Sequence, residues 1–114
     1  MSLPLQIIYR YVEPQTALDE SIFRRVDGFE QLYAEIVSCR VMVEASEQPW
    51  QKDDKCRVVI DVILLSESLQ IVLEASGRHG SEAMMALVQR AFDDMQCRLS
   101  VRRTVTAVLD SETS

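Results

Sequence analysis

The stretch RVVIDVILLSESLQIVLEAS, residues 57–76, decides the fold. Val58, Ile60, Val62 and Leu64 alternate with Arg57, Val59, Asp61 and Ile63, the period of two expected of a strand with one buried face. SESL, residues 66–69, makes a short turn. The alternation then resumes, with Leu69, Ile71, Leu73 and Ala75 set against Gln70, Val72, Glu74 and Ser76. Two such runs joined by so short a connection are antiparallel neighbours.

Upstream, Val37, Cys39, Val41, Val43 and Ala45 form one face of another strand, with Ser38, Arg40, Met42 and Glu44 on the other. The polar stretch 46–55 between these strands is too long for a tight turn and reads as a loop. Earlier still, Leu18, Ile22, Val26, Phe29, Leu32 or Tyr33, and Ile36 recur at helical spacing over Thr16 to Glu35. Thr16 is the expected N-cap, with Asp19 three positions on. Gly28 inside this helix suggests a close approach to the sheet. Leu5 to Tyr11 alternates as a first strand, which Pro14 closes off.

After the break Gly77 to Gly80, Ser81 can cap a last helix. Its apolar positions are Met84, Leu87, Val88, Ala91, Phe92, Met95 and Leu99. The order is β-α-β-β-β-α, an α+β domain. Two amphipathic helices need a common apolar surface, so both are expected on one face of a four-stranded sheet. Residues 1–103 form the single domain, and 104–114 (TVTAVLDSETS) read as a flexible tail.

Composition bounds the function. A chain of 114 residues with 47% hydrophobic and 26% charged residues is one ordinary globular domain. No apolar run reaches the roughly 18 residues of a membrane span, and the N-terminus lacks a signal-peptide pattern, so the expected location is cytoplasmic. Cys39, Cys56 and Cys97 are odd in number and match no metal-ligand spacing, which favours reduced, packing thiols. His79 has no nucleophile or spaced carboxylates around it. Asp53 with Asp54, and Asp93 with Asp94, are adjacent and project in different directions, so neither pair is a catalytic dyad. No enzyme, cofactor or metal site is expected.

The net charge of −6 opposes polyanion binding overall, but the signs are segregated. Thr16 to Glu35 holds five acids and two bases, Arg24 and Arg25, a net of −3. Ser81 to Arg103 holds three acids and four bases, Arg90, Arg98, Arg102 and Arg103, a net of +1. With Arg78 and His79 just before it, the last helix is the basic district. An arginine fork suits phosphate. Equally, Arg102 and Arg103 at a helix C-terminus would complement the helix dipole. The open sheet face would carry Ile8, Arg10, Arg40, Met42, Arg57, Val59, Ile63 and Val72. That mixture fits a partner or dimer contact, or simply the strand preference of β-branched residues. Trp50, beside Lys52 and Lys55 in the loop, can stack on a base, anchor a protein contact, or fold back over the core edge.

Four segments carry a family likeness: PLQIIYRYVEPQTALDESIFRRVDGFEQL (4–32), IVSCRVMVE (36–44), RVVIDVILL (57–65) and EAMMALVQRAFDDMQCRL (82–99). Together they resemble the ribosome hibernation-promoting factors, the ribosome-associated translation inhibitors also known as ribosomal subunit interface or sigma-54 modulation proteins. The likeness spans residues 3 to 103, in the short form without a further dimerisation domain. It implies a fold like that of double-stranded RNA-binding domains. It also implies a bacterial factor that binds ribosomal RNA of the small ribosomal subunit. Such factors halt translation in stress or stationary phase by occupying the messenger and transfer RNA channel. On this chain the implied RNA contacts are Arg24, Arg25, Arg90, Arg98, Arg102 and Arg103, with Arg78 and the loop residues Trp50, Lys52 and Lys55 as further candidates. The alternative is a protein-interaction module of the same fold that has lost strong RNA binding and forms a homodimer through its open sheet.

Overall fold

The computed structural model describes residues 4–45, 55–76 and 81–113, with side chains of 4–45, 55–75 and 83–101. The elements are β1 (Leu5–Arg10), α1 (Thr16–Leu32), β2 (Ile36–Glu44), β3 (Lys55–Leu64), β4 (Ser68–Ser76) and α2 (Ser81–Thr113). The strands form one sheet in the order β1-β2-β3-β4. β1 runs parallel to β2, which requires the intervening helix α1 as a crossover, while β2, β3 and β4 are antiparallel in succession. This is the expected α+β arrangement.

Both helices pack on one face. Leu18, Ile22, Val26 and Phe29 of α1 are buried, as are Met84, Leu87, Val88, Ala91, Phe92, Met95 and Leu99 of α2. They close over Cys39, Val41, Val43, Cys56, Val58, Ile60, Val62, Leu64 and Ile71 in a single cluster. Each aliphatic side chain so buried contributes roughly 1.5–3 kcal/mol relative to exposure. Among the described residues the core holds no buried polar or charged side chain.

Five details depart from the sequence reading. Thr16 is the first helical residue and not the cap; Gln15 takes that place, without a side-chain capping bond. The helix ends at Leu32, leaving Leu32 exposed. Tyr33 instead turns inward, edge-on to Phe29 at 6.3 Å. In β2 the register slips between Ile36 and Ser38, so Ile36 is buried and Val37, expected on the core face, is 46% exposed. Gly28 makes no close approach, since a Cβ added there would meet nothing within 4 Å. Finally, α2 does not stop near Arg103. TVTAVLDSET contains no Gly or Pro, and the helix continues through it to Thr113. The molecule is accordingly elongated, 60 × 28 × 20 Å.

Candidate nucleic-acid interface

The expected arginines fall into distinct situations. Arg25 faces the α1–α2 seam. Its Nη2 donates to Asp93 Oδ1 at 2.7 Å and to Gln96 Oε1 at 3.3 Å, and its Nη1 donates to Gln89 Oε1 at 3.2 Å. The guanidinium also lies 5.7 Å from the centre of the Phe92 ring. Gln89 in turn donates to Ser21 Oγ, so α1 and α2 are clasped by a polar network above the core. Among the described residues, Asp93 is the only carboxylate in an ion pair with Arg25. The sequence signal for this clasp is the polar stripe Gln89, Asp93 and Gln96, at i, i+4 and i+7, beside the apolar one.

Arg98 donates one hydrogen bond, from Nη1 to the Gln70 carbonyl at 2.9 Å, tying α2 to β4. It remains exposed, and four of its five N–H donors are not used in that bond. Arg24 and Arg90 are exposed and have no hydrogen bond or ion pair with a described residue. Arg90, Asp94 and Arg98 follow one another at four-residue steps, so an exposed acid separates two exposed bases on that side of α2. Lys55 is exposed at the start of β3. Trp50, Lys52, Arg78 and His79 lie outside the described residues, and Arg102 and Arg103 are described as helical backbone only.

The extension of α2 changes the reading of those last two arginines. A helix dipole acts within the terminal turn. The helix ends at Thr113, ten residues after Arg103 (113 − 103), and its last turn holds no base. Arg102 and Arg103 therefore do not serve as dipole partners at a helix end. The extension also carries Asp110 and Glu112, so the whole of α2 has five acids against four arginines, a net of −1. Its positive charge is confined to the stretch between Arg90 and Arg103.

Two hollows mark the surface, one beside α2 and one on the open side of the sheet. A groove of about 520 Å³ between β4 and α2 has Leu69, Ile71 and Val101 in its wall, with Glu67, Asp94 and Arg98 around it. A second, of about 400 Å³, lies at the β1–β3 end of the sheet, among Gln6, Ser38, Arg40, Asp61, Ile63 and Ser68. Both mix charges of opposite sign, which suits neither a phosphate cradle nor a general acid–base pair. Three groups of the packed layer hold their protons more tightly than usual. Burial, then the hydrogen bond to Asp19 Oδ1 at 2.7 Å, pushes the Tyr9 phenol up to about 12. Burial, with a smaller effect of the Asp61 charge, raises the Cys39 thiol to about 12, and burial alone raises Cys56. All three cysteines are free thiols, with Cys39 and Cys56 buried and Cys97 exposed. Among the described residues no group of His, Cys, Asp and Glu is placed to hold a metal ion. No described helix is long and apolar enough to cross a membrane.

The architecture defines a class: a β-α-β-β-β-α sheet with both helices on one face, the fold of the ribosomal subunit interface proteins. A ribosomal subunit interface protein from Coxiella burnetii matches with a TM-score of 0.69, covering 90% of this chain and 99% of that chain at 16% identity. The N-terminal domain of Thermus thermophilus Protein Y matches with a TM-score of 0.57, covering 86% of this chain and 94% of that one at 18% identity. No model of a known protein family matches the sequence, and no curated protein does.

Proposed function

We propose that this chain is a ribosome hibernation-type factor. In this reading it is cytoplasmic and non-enzymatic, binds ribosomal RNA of the small subunit, and stops translation by filling the messenger and transfer RNA channel. The observation that carries the reading is the shared fold, which extends over nearly the whole of the Coxiella subunit interface protein. The sequence resemblance over residues 3 to 103 points the same way.

The arginines of α2 from Arg90 to Arg103, with Arg24, supply the phosphate contacts. Arg25 acts as a brace that holds α1 against α2 and keeps that surface in shape. Because bound phosphates release counterions, engagement of about four of them makes affinity fall steeply with salt. Replacing Arg98, Arg102 and Arg103 together by Glu is expected to abolish co-sedimentation with small subunits in a sucrose gradient. The thermal midpoint should hardly move, since the bond Arg98 makes to Gln70 is exposed. Undiminished co-sedimentation of the triple variant refutes the reading.

The net charge of −6 favours a second reading, a protein-interaction module on the same fold. A partner captured equally well at low and high salt, and identified as a protein, would select it.

A further inference from the structure

The pairing register sorts the open face of the sheet into three rows that run across all four strands. One row is apolar: Ile8, Met42, Val59 and Val72. On one side of it lies Gln6, Arg40, Asp61 and Gln70. On the other lies Arg10, Glu44, Arg57 and Glu74, with charge alternating at every strand. These rows hold three arginines and three carboxylates and carry no net charge; Lys55, beyond them at the start of β3, adds a single positive charge, which is little to attract a polyanion. No described helix covers this face, and Val72 is 47% exposed.

We propose that a second copy of this chain occupies the face, in a two-fold dimer whose axis runs parallel to the strands between β2 and β3. That rotation lays β1 over the second copy's β4 and β2 over its β3, while each row stays in place. Arg10 then meets Glu74, Glu44 meets Arg57, and Arg40 meets Asp61. Each contact occurs twice, giving six pairs of opposite sign and none of like sign. The apolar row closes on itself, Ile8 against Val72 and Met42 against Val59. The other in-plane two-fold, perpendicular to the strands, produces four such pairs and leaves Arg10 and Glu74 opposite glutamines. The axis along the strands is therefore the better match, and it permits the aligned packing of twisted sheets.

Within each chain, Arg57 Nε already lies 3.4 Å from Glu74 Oε1, and Gln70 Nε2 donates to Asp61 Oδ1 at 2.7 Å. These contacts hold the charged ends in their rows before association. Strands about 4.8 Å apart give a face roughly 20 Å wide and 25 Å long, so each copy buries on the order of 500 Å². That is at the small end for specific interfaces, and the dimer is accordingly weak and concentration-dependent. The inference does not depend on ribosome association.

Sedimentation velocity over about a hundredfold range of protein concentration tests it. The wild-type chain should shift from monomer to dimer, and less completely at high salt. Arg40→Asp sets two carboxylates against each other across the axis and should raise the dissociation constant about tenfold or more. Adding Asp61→Arg to it restores the pair both within the chain and across the axis, so the double variant should return to near the wild-type value. Under the perpendicular axis the same double variant would face Glu44 with Asp and Arg57 with Arg, and no recovery would occur. Melting curves on dilute samples report whether each variant is folded. A wild-type chain that stays monomeric throughout overturns the proposal. So does a dimer that Arg40→Asp leaves intact, or a folded double variant that fails to recover.

Discussion

On the helix-covered face of the sheet, β3 contributes Cys56, Val58, Ile60, Val62 and Leu64, every one of them buried. On the opposite face the same strand turns out Arg57, Asp61 and Ile63, with Val59 buried among them. One side is held by close packing and says little about partners. On the other side no described helix packs, and the pattern of charge there carries the information. The contrast teaches that a strand's stability and its recognition surface can be read from alternate residues of a single segment.

The largest expected effect breaks the covered side. Ile60→Ala, at a fully buried position, should cost about 2–5 kcal/mol in chemical denaturation, whereas Val72→Thr on the open side should stay within about 0.5 kcal/mol in dilute solution. Equal losses at the two sites would erase the distinction.

Alkaline titration should weaken the covered side next. The folded chain holds the Tyr9 proton to about 12 against an ordinary value of 10.0, and the Cys39 proton to about 12 against 9.0. Above those ordinary values the unfolded chain binds fewer protons than the folded one. The stabilisation is thus complete below about pH 9 and is lost as pH climbs toward 12. Melting temperature should decline through that window, and Tyr9→Phe should flatten the part above about pH 10. A profile unchanged by Tyr9→Phe would mean that the Tyr9–Asp19 contact is not kept in solution.

The smallest effect goes the other way. At Gly28 the helical layer has room to spare, so Gly28→Ala should stabilise the chain by about 0.5–1 kcal/mol. Destabilisation would show that α1 sits closer to its neighbours than described.

Much of this was legible in the chain itself. The alternation of Val58 to Leu64 and the seven apolar positions from Met84 to Leu99 announce which residues face the core, because a period of two or of 3.6 is imposed by backbone geometry. What periodicity could not reveal is how elements meet. The slip at Ile36 and Ser38 is a property of the β2–β3 ladder and not of β2 alone. The capture of Arg25 needs residues 64 to 71 positions further along the chain. The rows of the open face appear only once all four strands are in register. The end of α2 escaped for a different reason: apolar periodicity fades after Leu99, yet a helix needs only the absence of breakers to go on.

Cys97 has a practical consequence. The other two thiols are sealed in the packed layer and hold their protons to alkaline pH, while Cys97 is exposed on α2, beside Arg98 at the edge of the groove against β4. A maleimide dye at neutral pH will therefore mark one site on the native polypeptide, without engineering. The label falls on the helix argued to touch RNA, so its fluorescence would report docking as it happens.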